Sequence, residues 1–433
     1  MDRFLMTKLI EWKTSRNRKP LIVNGARQVG KTWLLKEFGR QEFQNVVYIN
    51  FDNNPRLAAQ FDEGYHIPQL IAAFQLESGE RIDPEKTLII LDEIQECPKA
   101  LTSLKYFYEN APEYAIAAAG SLLGITIHKG TGYPVGKVDS LNLFPLSFRE
   151  FLDAVGEKAL REAIDSGNQA LLNSFATRYI SLLRQYYFVG GMPEAVDAFV
   201  ETKSFDEARK VQEQILLGYE RDISKHREVR EIEYTIAAWK SIPAQLSQEN
   251  KKFVFGHIKE GARARDYRSA ITWITQAGIG QCVKRVKNPE IPLSAYVDES
   301  AFKLFVSDVG LFCAMFGIDQ RSVIEGNKLF AQHKGALTEQ YVCQQLVSDC
   351  GLEPYYWSAV NSSGEIDFLV QTGGKIYPIE VKAEAHTRAR SLNSFSKRYE
   401  YAVARRFSMS NFSDSGWVKD VPLFAIGNLK NWD

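Results

Sequence analysis

Three stretches of the sequence carry residues whose types and spacing could do chemistry, and the first is GARQVGKT at residues 25–32. It fits GxxxxGK[ST], in which backbone N–H groups and the N-terminus of the next helix cradle phosphates. We expect Lys31 to reach the β- and γ-phosphates of ATP and Thr32 to ligate Mg²⁺. The candidate nucleotide-binding residues here are Gly25, Ala26, Arg27, Gln28, Val29, Gly30, Lys31, Thr32 and Trp33.

The second stretch, TLIILDEIQ, places two carboxylates directly after an apolar run. Leu88 to Leu91 read as a fully buried parallel strand, so Asp92 and Glu93 lie at its carboxyl end. We assign Asp92 to Mg²⁺ and Glu93 to polarising the water that attacks the γ-phosphate. The alternative is that the acidic pair only caps the next helix. Ser121, after the strand-like run EYAIAAAGS, is a candidate γ-phosphate sensor or an ordinary turn residue.

The third stretch, GEIDFLVQTGGKIYPIEVK at residues 364–382, has the pattern of a β-hairpin with a two-residue turn at Gly373-Gly374. In such a hairpin Thr372 lies opposite Lys375, and the numbers of every other pair have the same sum. Asp367 is therefore predicted opposite Glu380, and Glu365 opposite Lys382. Their side chains share one face, while the other face is apolar, as in a half-buried sheet. The apolar residues are Ile366, Phe368, Ile379 and Val381.

Glu339 is a further candidate for this site, because it lies on the apolar face of the helical stretch KGALTEQYVCQQLVSD. Charged groups seldom occupy such a face without a partner. We therefore expect Glu339 to point toward the hairpin. With Asp367 and Glu380 it would ligate a hard divalent cation such as Mg²⁺, which prefers oxygen ligands. An ordinary hairpin with its charges in water explains this clustering of carboxylates less well.

The elements that must position these residues indicate an α/β chain of several domains. Strand-like runs at 45–52, at 113–121 and in SLNLFPLSFREFL complete an N-terminal parallel sheet. The pattern from 156 to 245 is helical. The predicted domains are residues 1–155 for nucleotide binding, 156–245 for a helical lid, 246–325 for a winged-helix-like domain and 326–433 for the hairpin.

A basic segment motivates the winged-helix prediction. From Lys251 to Lys287 the chain carries nine Lys or Arg residues against two acids. ARDYRSAITWITQAG reads as an amphipathic helix, and GQCVKRVKN reads as a short basic strand. Such a helix can enter a DNA groove while the strand contacts backbone phosphate. The alternative is a helical lid with a solvated face.

Composition bounds the remaining possibilities. The chain has 433 residues, 45% hydrophobic and 24% charged, with no net charge, so any attraction to DNA must be local. Its five cysteines are scattered and form no CxxC pair, which argues against disulfides and zinc. The N-terminus lacks a signal-peptide pattern, and no stretch is long and apolar enough for a membrane span. We expect a cytoplasmic protein.

The order of these motifs resembles that of the bacterial and archaeal AAA-type ATPases that carry a C-terminal domain of unknown function. The similarity rests on GARQVGKT, LIILDEIQ, FPLSFREF, VGGMPEAV, FKLFVSDVGL and GEIDFLV followed by PIEVK. The C-terminal part is similar to restriction-endonuclease-like folds with the PD-(D/E)xK motif. The resemblance implies Asp367, Glu380 and Lys382 as a nuclease signature, with Lys382 orienting or activating a water for phosphodiester cleavage and Glu339 as the acid from the helix.

Two residues depart from the family pattern. Ile366 replaces the proline of the motif, and Lys137 stands where relatives usually carry an arginine that could act as a finger between subunits. Lysine keeps the charge but loses the bidentate fork, which puts finger-dependent hydrolysis in a homo-oligomer in doubt.

Two functions of different class follow. The first is an ATPase that binds DNA and carries a metal-dependent nuclease-like domain. The second is a nucleotide-controlled regulatory or interaction protein whose nuclease-like domain only binds a partner.

Overall fold

The computed structural model describes residues 1–62, 64–121, 134–225, 229–325, 328–359, 364–384, 390–399 and 404–432. The chain divides into two compact units. The nucleotide unit holds residues 2–144 and 276–278, and the larger unit holds Met1, residues 145–275 and residues 279–433. Among the helices of the described segments, none combines the length and apolar character that crossing a membrane requires.

The nucleotide unit is built on a sheet of five parallel strands, in the order β2-β3-β4-β1-β5. Every residue of β3 and β4 is buried, because these strands lie inside a parallel sheet with neighbours on both sides. The strands are β1 (Leu21–Asn24), β2 (Asn45–Asn50), β3 (Thr87–Asp92), β4 (Ala115–Ala119) and β5 (Asp139–Asn142). The predicted parallel sheet is confirmed.

Helices connect the strands of this sheet. They are α1 (Leu5–Thr14), α2 (Lys31–Glu42), α3 (Pro55–Ala59), α4 (Ile67–Ser78) and α5 (Pro98–Asn110), with a short 3-10 helix at Ile94–Glu96. Phe51, Phe61, Phe74 and Phe107 belong to one apolar core together with residues of the sheet. That core fixes the carboxyl ends of β1 and β3, where the candidate nucleotide residues lie.

The larger unit begins with helices, as predicted for the middle of the chain. Ser147 caps the first of them in a reciprocal arrangement with Glu150, a capping box. The helices are α6 (Phe148–Ala154), α7 (Lys158–Ser166), α8 (Gln169–Ser174), α9 (Ala176–Val189), α10 (Pro193–Thr202), α11 (Phe205–Lys225), α12 (Val229–Leu246) and α13 (Ala264–Gln276).

An eight-stranded mixed sheet forms the rest of the larger unit, in the order β12-β13-β11-β10-β9-β8-β6-β7. Its strands are β6 (Gly280–Val286), β7 (Val297–Val306), β8 (Tyr355–Ser358), β9 (Glu365–Thr372), β10 (Lys375–Val381), β11 (Ala404–Ser408), β12 (Ser413–Asp414) and β13 (Val418–Pro422). Helices α14 (Val309–Met315), α15 (Gln320–Glu325), α16 (Lys328–Ser348) and α17 (Arg390–Arg398) accompany it, with 3-10 turns at Phe255–His257, Leu293–Tyr296, Leu423–Ala425 and Leu429–Trp432.

The winged-helix prediction needs correction at its strand. The amphipathic helix is present as α13, and the basic strand is present as β6. Strand β6, however, pairs with β7 on one side and with β8 on the other. Because its backbone is hydrogen-bonded along both edges, β6 is an interior strand of the large sheet and not a wing. The predicted boundary at residue 325 thus passes between strands of one sheet.

The hairpin of β9 and β10 has the predicted register. Gly373 and Gly374 both have positive φ, +56° and +72°, and Lys375 pairs with Thr372. The ladder continues to Ile379 opposite Phe368, with the same constant sum. The expected half-buried alternation is present at the start of β9, where Glu365 and Asp367 are partly exposed and Ile366 is buried, whereas β10 is buried on both faces around Glu380. Glu380 is only 4% exposed, and α16 packs against β10 while α17 packs against β9.

Candidate functional site

The phosphate-binding loop connects β1 to α2. Gly30 precedes α2 in the left-handed region, with φ of 92°, which glycine adopts without strain. Gly25 also has positive φ, and a Cβ atom there would lie 2.3 Å from the carbonyl oxygen of Leu143. A side chain at either position would therefore disturb the loop. Ala26 and Val29 are buried beneath it, whereas Arg27, Gln28 and Trp33 are exposed.

Lys31 is buried within this loop, with 7% of its surface exposed. Its Nζ donates hydrogen bonds to the carbonyl oxygens of Gly25 at 2.9 Å and Ala26 at 2.7 Å. Burial lowers the pKa of Lys31 to about 8, and the carboxylates of Glu93 and Asp92 oppose that decrease. The amine is thus mostly charged at neutral pH. Phosphate oxygens can replace the two carbonyl oxygens as its partners.

Asp92, at the end of β3, lies beside Thr32, the other predicted Mg²⁺ ligand. Its Oδ2 accepts hydrogen bonds from the Thr32 hydroxyl at 2.7 Å and the Tyr48 hydroxyl at 2.9 Å, and its Oδ1 accepts the Glu93 N–H at 3.0 Å. All three hydrogen-bond donors are uncharged, and the ammonium group of Lys31 interacts with the carboxylate electrostatically. The pair fits Mg²⁺, because a hydroxyl and a carboxylate oxygen at contact distance are the ligands that this ion takes in P-loop enzymes.

Tyr48 on β2 was missed from the sequence. Its pKa is raised by burial and by the charge of Asp92, and the Nζ of Lys36 lies 3.6 Å from its ring centroid. A tyrosine on a strand predicted to belong to the same sheet was the available signal. The strand register that sets Tyr48 level with Ile90, two residues before Asp92, became visible only in the fold.

The remaining predicted residues of this unit lie as follows. Glu93 has φ of 50°, an uncommon conformation for a residue with a side chain, and its Oε2 accepts a hydrogen bond from Gln95. Ser121 is buried two residues beyond β4, the strand between β3 and β1. Lys137 forms an ion pair with Glu109 at 3.1 Å.

In the larger unit, Glu339 of α16 is 3% exposed and meets two lysines. Its Oε1 pairs with the Nζ of Lys251, and its Oε2 lies 3.6 Å from the Nζ of Lys303. Lys303, on β7, has no exposed surface and also pairs with Oε1 of Glu365 at 2.5 Å. The two lysines lower the pKa of Glu339, against the effect of burial.

Asp367 and Glu380 lie at the end of the hairpin. The Val381 N–H donates to Oδ2 of Asp367 at 2.8 Å. Burial and the charge of Glu339 raise the pKa of Asp367 to about 7. Glu380 pairs with Lys382 at 2.9 Å, and its Oε2 is a buried atom without a hydrogen-bond partner among the described residues.

Glu339 does not fit its predicted place as a metal ligand. Within the described segments, no three His, Cys, Asp or Glu side chains come together as a group that could hold a metal ion. Glu339, predicted as the third ligand beside Asp367 and Glu380, instead pairs with Lys251 through Oε1. Its Oε2 lies 3.6 Å from Lys303 and has no hydrogen-bond partner among the described residues. The acid on the apolar helix face does have a partner, but the partner is an ammonium group.

Lys303 could have been flagged from the sequence, because it interrupts the apolar run of AFKLFV. A lysine in a buried strand requires an acidic partner. Lys251 was assigned to the DNA-binding patch, and the structure corrects this assignment. Four of the nine basic residues of that segment are in ion pairs, namely Lys251 with Glu339, Lys284 with Glu299, Arg285 with Asp298 and Arg265 with Asp266. These pairs reduce the charge available to DNA phosphates.

Comparison with known proteins supports the assignment of the first unit. Residues 17–152 match a family described as an AAA domain, and residues 180–322 and 334–421 match two families described as domains of unknown function. The N-terminal part of the chain is therefore a P-loop domain of the AAA ATPase type. The families that match the larger unit name no activity.

The relatives in sequence are remote. An uncharacterized protein of Mycobacterium tuberculosis and one of Mycobacterium bovis are each 31% identical over 80 residues. That match covers 18% of this chain and 17% of either relative, so it spans about a sixth of their length.

Similar solved structures are also distant. A Walker-type ATPase of Pyrococcus abyssi is 12% identical, with a TM-score of 0.45, over 72% of this chain and 95% of that one. The ORC1 protein of Aeropyrum pernix, in complex with DNA, is 13% identical with a TM-score of 0.27, over 72% and 90%. Identities at this level do not transfer a function.

Proposed function

We propose that this protein binds and hydrolyses ATP with Mg²⁺ in its N-terminal unit. The observation that carries the proposal is the contact between Thr32 and Asp92 at 2.7 Å, beside the buried amine of Lys31. An ammonium group, a hydroxyl and a carboxylate in this arrangement are the groups with which P-loop enzymes bind and hydrolyse a nucleoside triphosphate. An acidic pair that only capped a helix would not need the contact with Thr32.

Each residue has a distinct task in this proposal. The amides of residues 25–32 surround the phosphates, and Lys31 moves from two carbonyl oxygens to the β- and γ-phosphate oxygens. Bound Mg²⁺ would neutralise phosphate charge, with Thr32 and Asp92 as its protein ligands. Glu93 polarises the attacking water, and Ser121 contacts the γ-phosphate. These are the sequence-based assignments, and the positions of all five side chains in one unit support them.

The test is Mg²⁺-dependent phosphate release by the wild type and by Lys31→Ala. We expect the variant to lose at least about 99% of the activity, because the loop loses its only buried cation toward the phosphates. Lys8→Ala is the matched control, since Lys8 is an exposed lysine of the same unit paired with Glu11. Full hydrolysis by Lys31→Ala would overturn the proposal.

A second function, cleavage of DNA at Asp367, Glu380 and Lys382, is favoured by one observation. The buried Oε2 of Glu380 has no hydrogen-bond partner among the described residues, although Lys382 holds the other oxygen. Such an atom suits a group that acts on a ligand. The same proposal includes DNA contact through those Lys and Arg residues of 251–287 that are not in the four ion pairs. It also includes a cytoplasmic location and assembly into a homo-oligomer.

Incubation with labelled DNA and Mg²⁺ or Mn²⁺, with and without ATP, tests this second function. Cleavage that is lost in Asp367→Ala and kept in Lys31→Ala supports it. If the wild type binds DNA without cutting it, the regulatory alternative is favoured, in which the nuclease-like domain only recognises a partner. The lysines around Glu339 already favour that alternative, because they leave fewer free carboxylates.

A further inference from the structure

The buried lysine of β7 stands at the centre of the acidic cluster. Lys303 has no exposed surface, and its Nζ lies 2.5 Å from Glu365 and 3.6 Å from Glu339. The ring of Tyr356 lies 5.0 Å from the same nitrogen and faces its charge. A buried ammonium group is tolerated only where carboxylates and polarisable groups replace its water.

The ion pairs of this cluster balance without any added ion. Two ammonium groups, those of Lys303 and Lys251, face the carboxylates of Glu339 and Glu365. Asp367 is a third carboxyl group near Lys303. A divalent cation placed among these groups would add two positive charges to a site that already holds two.

We propose that Lys303 is the resident cation of this cluster, and that together with Lys251 it takes the place that a divalent metal ion holds in nuclease sites of this kind. Glu339 is then a partner of lysine and not a metal ligand. The strand pairing of β7 with β6 and of β6 with β8 brings Lys303 to the hairpin from outside the predicted endonuclease-like region. This inference does not depend on ATP hydrolysis, and metal-dependent cleavage of DNA at the hairpin would contradict it.

The first measurement is binding of Mn²⁺ to nucleotide-free protein by isothermal titration calorimetry, for the wild type and for Glu339→Gln. We expect equal stoichiometry in the two proteins, because Glu339 holds no ion. A site in the wild type that disappears in Glu339→Gln would overturn the proposal. This measurement does not require a variant of Lys303 to fold.

The second measurement is the Tm of Lys303→Met in EDTA. Removal of the ammonium group leaves Glu339 and Glu365 buried or half-buried without their shared cation, so we expect a decrease of roughly 5–10 °C. Lys284→Met is the matched control, because Lys284 is a lysine of the neighbouring strand whose pair with Glu299 is exposed. We expect its Tm to change by about 1 °C at most. A Tm of Lys303→Met equal to that of the wild type would contradict a resident cation.

A double variant separates the charge of Lys303 from its packing. In Lys303→Met with Glu365→Gln, the carboxylate that pairs with Lys303 at 2.5 Å is removed together with its cation, so we expect about half of the lost Tm to return. If the double variant is less stable than Lys303→Met, the loss comes from packing and the proposed pairing is wrong. If Lys303→Met does not fold, folding of the double variant supports the pairing, and failure of both counts against it.

Discussion

Two buried carboxylates in this protein, Asp92 and Glu339, face different partners. Asp92 accepts hydrogen bonds from two hydroxyl groups and one backbone N–H. Glu339 faces two ammonium groups. Neutral donors hold Asp92 in place without cancelling its charge, whereas the lysines cancel that of Glu339. A carboxylate that keeps its charge can attract a metal ion, and one already paired with lysine gains little from doing so.

A cluster of acidic residues in the sequence is therefore an incomplete prediction of a metal site. Counting along the sequence found both carboxylates, but the identity of the groups that face each of them decides what it can bind. We expect a metal site at Asp92 and a charge-balanced cluster without a metal ion at Glu339. Each of the following variants tests one side of that difference.

The largest effect is expected from Glu93→Gln. The amide keeps the size of the side chain but no longer polarises water, so we expect hydrolysis to fall by about 100-fold or more while ATP binding is kept. Phosphate release and equilibrium binding of a fluorescent ATP analogue measure the two properties. Glu96→Gln is the matched control, since Glu96 is an exposed acid at the end of the short helix that follows Glu93.

Glu339→Gln is the counterpart on the other side of the comparison, and we expect it to leave ATP hydrolysis unchanged. An equal loss of hydrolysis in Glu339→Gln and Glu93→Gln would remove the distinction between the two carboxylates.

What the sequence could predict was local. The phosphate-binding loop, the acidic strand end and the hairpin register each depend on residues close in the chain, and periodicity or turn type determines them. Lys303 reaches the hairpin only through β6 and β8, and β8 begins about 50 residues after it. Tyr48 reaches Asp92 through the pairing of β2 with β3. Partners set by such distant strand pairing are not visible in a single sequence.

Asp308 extends the comparison to a carboxylate without a cation, and it predicts an opposite pH dependence. It is fully buried and accepts N–H groups from Gly191 at 2.6 Å and Leu311 at 2.9 Å. Burial raises its pKa from 3.8 to about 6. Between about pH 4 and 6, Asp308 is therefore protonated in the folded state and ionised in the unfolded state. The stability that protonated Asp308 contributes is lost as pH rises through this range. For Glu339 the pKa is lowered, so its contribution is lost as pH falls.

Thermal unfolding of the protein between pH 3 and 7 measures both effects, because the contribution of Glu339 is lost only as pH falls below its ordinary pKa of 4.5. Relative to Asp308→Asn, the wild type should lose stability equivalent to about 2–3 kcal/mol across this range. Relative to Glu339→Gln, it should lose stability toward the acid end instead. The stability difference between the wild type and each variant is plotted against pH. Slopes of the same sign for Asp308→Asn and Glu339→Gln would show that lysine pairing does not distinguish Glu339 from Asp308.

The smallest effect is expected from Tyr48→Phe, which removes one of the three donors to Asp92. The Thr32 hydroxyl and the Glu93 N–H remain, so Asp92 stays in place but is held less firmly. A lost hydrogen bond to a charged group is worth about 1–2 kcal/mol, which corresponds to a decrease in kcat of roughly 5- to 30-fold. KM for ATP should change little, while the Mg²⁺ concentration for half-maximal rate should rise.

Tyr106→Phe controls for the loss of a hydroxyl elsewhere, because Tyr106 stacks on Tyr65 at 4.5 Å in the same unit. If Tyr48→Phe and Tyr106→Phe require the same Mg²⁺ concentration as the wild type, the hydroxyl of Tyr48 does not orient Asp92. The uncharged donors would then only satisfy the buried carboxylate of Asp92. The difference between Asp92 and Glu339 would depend only on the lysines that pair with Glu339.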